Sequence, residues 1–205
     1  MGIVFCDTET TGVDRDRHEP WEIALIFRDD DGFDQEFCWL VRPILDGASP
    51  EGLRIGRYYE RSGFVASGDP TVAVRTVHPT LDSPDDGLVA SPWSPDRRQD
   101  VAYAAAEIAK LVDGATIVGA VPDFDAEMLR RWLARHGQCW TAHYHLVDVE
   151  TLAAGSLRMP PPWGFDDLLD RYGLRYDEED RHTALGDARM VRDLYDAVLK
   201  AAGRG

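Results

Sequence analysis

The chain has 205 residues, is 44% hydrophobic and carries a formal net charge of −15. That length suits one domain with a substantial core, expected here across residues 1–205. The acidity excludes a tight nonspecific grip on long duplex nucleic acid, which needs a basic surface, but not a small site that takes a strand end through metal ions.

The chain opens on an apolar run, Ile3 to Cys6, that leads into Asp7-Thr8-Glu9-Thr10-Thr11-Gly12. Side chains two apart on a strand share a face, so Asp7 and Glu9 project together, and two crowded carboxylates repel unless a proton or cation lies between them. The plainer alternative is a strand end with two solvated acids. Trp21 to Phe27 reads as a second strand, Asp29-Asp30-Asp31-Gly32 as a hairpin turn, and Phe37 to Val41 as the returning third strand. The first third is therefore an antiparallel meander. Arg54, Arg57 and Arg61 fall at spacings that share one helical face beside Tyr58 and Tyr59. That face reads as a solvated one in preference to an arginine–aromatic surface for single strands. Residues from about 66 to 100 are rich in Pro, Gly, Ser and Asp and are expected to form an irregular insertion or loop.

Regular structure is expected again from Val101 to Val112 (helix) and Ala115 to Gly119 (strand). A helix capped by Asp123 and stopped by Gly137 follows, then a strand at His145 to Val147. Helices near Val149 to Ala154, Phe165 to Tyr172 and Ala184 to Ala202 complete the pattern. Strands alternating with helices add βα units to the meander, giving a mixed α/β sheet flanked by helices. No apolar stretch approaches the ~20 residues needed to cross a bilayer, so no membrane partner is expected. The cysteines Cys6, Cys38 and Cys139 lie far apart without zinc spacing, which suits a reducing, cytoplasmic setting.

Two helices carry an acid on the wrong face. Asp125 falls on the same stripe as Met128, Leu129, Trp132 and Leu133, and Asp187 on the stripe of Val191, Leu194 and Val198. Asp is rarely buried without a partner, and both residues sit in first turns, where the helix dipole favours an anion. Asp7, Glu9, Asp125 and Asp187 together make an oxygen-rich set suited to Mg²⁺ or Mn²⁺. Two such ions ~3.5–4 Å apart can activate water and stabilise the leaving oxygen of a phosphodiester. His182 is the candidate base. Five residues before Asp187 is about 500° of rotation on a continuous helix, so it must come from a loop or first turn, where it could lean over the site, and its ordinary pKa of ~6.5 suits that work.

The order Asp7-x-Glu9-Thr-Thr-Gly, Phe124-Asp125 and His182-x-Ala184-x-x-Asp187-Ala188 resembles the DEDDh (DnaQ-like) 3′–5′ exonuclease family, which includes the proofreading subunit of bacterial DNA polymerase III, ribonuclease T and oligoribonuclease. The similarity extends to Trp21 to Ala24, Val147 to Leu152 and Phe165 to Leu169. It implies a ribonuclease-H-like fold, two divalent ions held by Asp7, Glu9, Asp125 and Asp187, and His182 as general base. Thr8, Thr10, Thr11 and Phe124 would lie against the terminal nucleotide. One departure stands out: Ala120-Val121 occupy the place of the family's His-Asn, whose polar side chains help place the strand end.

The expected activity is removal of nucleotides from the 3′ end of single strands, DNA in preference to RNA. A polymerase or another tethering protein would hold such a weak binder in place. The alternatives are an enzyme acting on RNA 3′ ends or short oligoribonucleotides, and a nuclease-fold module that binds protein without cutting.

Overall fold

A computed structural model describes residues 2–62, 74–78, 89–90, 97–177 and 181–203. The opening apolar run forms β1 (Ile3–Thr10). It pairs antiparallel with β2 (Pro20–Arg28), and β2 pairs antiparallel with β3 (Asp34–Val41). The hairpin between β2 and β3 turns on Asp29, whose carboxylate accepts from the Asp31 and Phe33 amides at 3.0 and 2.9 Å.

Two short helices follow, α1 (Pro50–Ile55) and α2 (Tyr58–Arg61). Arg57 separates them in a left-handed conformation, φ 53°. The expected single helical face for Arg54, Arg57 and Arg61 is thereby broken. Arg54 is solvent-exposed beside Glu51, whereas the Arg61 side chain turns inward.

Part of the stretch expected to be irregular is regular. Residues Val74–His78 form β4 against β3, Val89–Ala90 form β5 against β4, and α3 (Arg97–Val112) begins four residues before its expected start. The remainder of residues 66–100 lies outside the described residues.

The second half brings β6 (Thr116–Gly119), α4 (Pro122–Arg135), β7 (Leu146–Asp148), α5 (Val149–Leu157), α6 (Phe165–Arg171) and α7 (Ala184–Ala202). The α4 N-cap is Val121, with no side-chain cap, so Asp123 is a first-turn residue and not the expected cap. Strand β6 pairs parallel with β1 and β7 parallel with β6, giving the sheet order β5-β4-β3-β2-β1-β6-β7. The mixed α/β sheet is the one expected, lengthened at the meander edge by β4 and β5.

Alternation along β1 feeds two cores, one on each sheet face. Phe5 packs with Val149 and Ala153 of α5, Leu168 of α6 and Ala188, Val191 and Leu194 of α7. Val4 and Cys6 pack with Ile108 and Val112 of α3 and Leu129, Trp132 and Leu133 of α4. Burial of aliphatic side chains at about 1.5–3 kcal/mol each makes these faces the main source of cohesion. Ion pairs then fix α7 lengthwise on the meander: Arg28 bridges Asp34 and Asp196 at 2.7 and 2.5 Å, and Arg189 reaches Glu36 at 2.5 Å. Asp187 at the start of α7 is thus delivered to the end of β1.

Candidate metal centre

Strand parity puts Asp7 and Glu9 on the α7 face of β1. Carboxylate oxygens of Asp7, Glu9 and Asp187 all lie within 4.8 Å of one another. Among the described residues this is the one group of three or more His, Cys, Asp or Glu side chains so gathered. Burial pushes the Asp7 carboxyl well above its ordinary range, and the charges of Asp125, Asp187 and Glu9 add to the effect. Burial and then the charge of Glu22 push Glu9 up to about 7, partly opposed by Arg61. Asp187 is pushed up to about 6 by burial, against the favourable influence of His182 and Arg181. The donor set is all oxygen, crowded and desolvated, and a hard divalent cation fits it.

Asp125 is only 4% exposed and adjoins Asp7 without belonging to the mutually close trio. Thr8, on the opposite face of β1 from Asp7, donates its hydroxyl to Asp125 Oδ1 at 2.7 Å. Burial holds the Asp125 carboxyl near 7 despite this hydrogen bond, and its charge reaches Asp7 from the α4 side. Of the four acids expected to hold metal, Asp7, Glu9 and Asp187 are mutually close, and Asp125 adjoins Asp7. Asp123, two residues earlier, points to solvent and pairs with Arg15 at 2.6 Å.

The threonines build the turn. Thr10 donates to the Gly12 carbonyl at 2.8 Å, and the buried Thr11 hydroxyl accepts from the Glu19 amide at 3.0 Å. Gly12 is held at φ +150°, where an added Cβ would fall 2.3 Å from the ring of buried His18. Phe124 is half-buried at the start of α4 under the Arg15 guanidinium, 5.6 Å from its ring centroid. The C-cap of α1, Gly56, lies against Glu9. A Cβ on Gly56 would stand 2.8 Å from Glu9 Oε2 and 2.9 Å from Trp21.

His182 immediately precedes the α7 N-cap, Thr183, whose hydroxyl accepts from the Gly186 amide at 3.0 Å. It has a left-handed backbone, φ 57°, an exposed side chain, and an amide hydrogen-bonded to the Asp187 carboxylate. A cleft of about 420 Å³ runs from Asp7, Asp187 and His182 to Ala120, Phe165 and Arg181. Arg181 pairs with Asp166 at 2.6 Å across it. Ala120 thus supplies an apolar wall, while Val121 is 58% exposed.

Two residues were not singled out from sequence for the site. Glu22 is 5% exposed in the middle of apolar β2 and stands across from Glu9 in the strand register. Arg61 pairs with it. Glu22 carries the same signal that marks Asp125 and Asp187, an acid in an otherwise apolar run.

A mixed sheet with these crossings defines the ribonuclease-H-like fold, and solved structures similar to the chain share it. Among them are structures of E. coli exonuclease I. The zinc-bound form in complex with single-stranded DNA superposes with a TM-score of 0.64 at 18% identity, covering 99% of this chain and 41% of that one. The complex with a dA16 oligonucleotide gives 0.63 at 17% identity, covering 99% and 42%. A product-bound form gives 0.61 at 18% identity, covering 99% and 44%. The chain thus spans about two fifths of the length of these neighbours. No family model and no curated protein matches the sequence. Among the described residues, no helix is long and apolar enough to cross a membrane.

Proposed function

We propose that the chain is a metal-dependent 3′–5′ exonuclease acting on the 3′ end of single-stranded DNA and releasing nucleoside 5′-monophosphates. The observation that carries this reading is the convergence of Asp7, Glu9 and Asp187 within 4.8 Å of one another, with Asp7 and Asp187 lining the cleft. Support for the substrate comes from the single-stranded DNA bound in the exonuclease I structures of the same fold.

Asp7, Glu9 and Asp187 would hold two Mg²⁺ or Mn²⁺ ions, which supply Lewis acidity and lower the pKa of a bound water. Asp125, fixed by Thr8, completes the negative charge on the α4 side of Asp7. The water oxygen bonds to the terminal phosphorus, and the bond to the 3′ oxygen of the preceding nucleotide breaks. His182 takes the water's proton from the rim of the cleft, next to the carboxylates. Phe165 and Ala120 offer apolar surface to a terminal nucleoside, and Arg181 offers charge to a phosphate. Since the hydroxyls of Thr8, Thr10 and Thr11 are engaged within the fold, their part in substrate binding is to set the turn and present its backbone. Phe124 and Arg15 flank that turn. With so acidic a chain, durable hold on DNA falls to a tethering protein such as a polymerase.

End-labelled single strands incubated with Mn²⁺ test the proposal. A 3′ label should be released as mononucleotide at once, while a 5′ label should shorten stepwise. Release from RNA but not DNA would reassign the substrate, and no mononucleotide from either would end the exonuclease reading.

A further inference from the structure

A carboxylate in the middle of an apolar strand requires a partner. Glu22 has one in Arg61, whose guanidinium donates through Nη2 to Glu22 Oε2 with side-chain exposures of 17% and 7%. The same guanidinium does more than neutralise. Its Nη1 donates to the Gly56 carbonyl at 2.8 Å and to the His182 carbonyl at 2.7 Å, and its carbon lies 5.2 Å from the centroid of the Trp21 ring. Glu22 Oε2 in turn accepts from the Ala184 amide at 3.2 Å.

The two residues that flank the α7 N-cap are therefore held by one ion pair, His182 by its carbonyl and Ala184 by its amide. This segment needs holding. A left-handed backbone at a non-glycine residue is strained and persists where surrounding contacts enforce it. The Asp187 carboxylate secures the His182 amide and Arg61 secures its carbonyl, so the backbone from which the imidazole departs is held from both sides. Glu22 faces Glu9 across the strand pair, and Arg61 balances its charge there.

We propose that Arg61 is a positioning residue of the site: braced on Glu22, it fixes the backbone of His182 and so aims the imidazole into the cleft. This rests on the exonuclease reading for its kinetic consequence, and on the geometry alone for its structural one. A lysine would keep the charge opposite Glu22 but lacks the planar fork that reaches Gly56, His182 and Glu22 together.

The test is a double-mutant cycle between Arg61→Lys and His182→Ala. In the otherwise native protein Arg61→Lys should lower kcat on a single-stranded DNA 3′ end by roughly 10- to 100-fold, with KM and the Mn²⁺ midpoint changed by less than about twofold. In the His182→Ala background it should change kcat by less than about twofold, because the residue it aims is gone. Glu22→Gln, which keeps an acceptor for Arg61 and Ala184, should show the same coupling with a smaller loss, and it serves if Arg61→Lys does not fold. Equal losses in both backgrounds, or a native rate in the single variants, would overturn the proposal. Ring signals of His182 in ¹³C–¹H correlation spectra give a second readout without turnover. Arg61→Lys or Glu22→Gln should move them while leaving those of His143 and His145 in place, and an unmoved His182 signal would overturn the proposal. Should the native protein cleave nothing, the exonuclease reading fails, and these spectra alone decide the positioning role.

Discussion

Replacing Glu9 with Gln should make the metal-free protein more stable, and more so at higher pH. Burial and the neighbouring Glu22 hold the Glu9 carboxyl at about 7 against its ordinary 4.5. A carboxyl raised in the folded state contributes stability that is intact below about 4.5 and is lost as pH rises through about 7, because the unfolded chain ionises first. Moving one carboxyl over that interval costs about 3 kcal/mol of folding free energy once both states are ionised. Part of that loss is already present at about pH 5, so the advantage of Glu9→Gln at about pH 8 should exceed its advantage at about pH 5 by about 2 kcal/mol. For a chain of this size that is about 4–8 °C in melting temperature. Thermal unfolding of both proteins in chelator at the two pH values reads the difference directly, and general effects of pH cancel between them. Mn²⁺ should then raise the native melting temperature strongly and that of the variant weakly, since cations bind the folded site. A Glu9→Gln variant that melts below the native protein at about pH 8 in chelator, or a gap that does not grow between about pH 5 and about pH 8, would refute the idea of crowded, desolvated acids.

Asp187→Asn should abolish cleavage and reduce the Mn²⁺-induced rise in melting temperature, both measured on the same preparation. His182→Ala should slow single-turnover cleavage by about 10²–10⁴-fold while leaving Mn²⁺ binding, followed by calorimetry, within about threefold, as suits a residue that does not hold the cation. Gly56→Ala places a methyl 2.8 Å from Glu9 Oε2 and 2.9 Å from Trp21. It should weaken Mn²⁺ binding, and unchanged affinity would show that α1 yields freely. Thr8→Val removes the donor to buried Asp125 and should destabilise the protein by about 1–3 kcal/mol in denaturant unfolding.

Much of this site is legible in the sequence because its residues break a pattern that the fold enforces. Asp125 and Asp187 lie on helical stripes that are otherwise apolar, and Asp7 and Glu9 alternate at the end of an apolar strand. Their departure from the pattern is the signal. Glu22 breaks the pattern of β2 in the same way and could have been found by the same test. Arg61 could not, because its spacing from Arg54 and Arg57 suggested one helical face, and only the left-handed Arg57 between α1 and α2 redirects it. The hydrogen bond from Thr8 to Asp125 was also beyond reach, because it depends on strand parity and helix approach together, which no local pattern encodes. For the fold, β1, β2, β3, α4 and α7 announce themselves by period and length. Strands β4 and β5, five and two residues long, owe their identity to pairing with β3 and with each other.

The metal centre is tested most directly by anomalous diffraction at the manganese edge, from crystals soaked with Mn²⁺ and a nucleoside 5′-monophosphate. Anomalous density is expected between the carboxylates of Asp7, Glu9 and Asp187, with the phosphate of the nucleotide against it and the His182 ring facing that phosphate. Manganese bound elsewhere, or density absent from among those three carboxylates, would contradict the proposed metal centre.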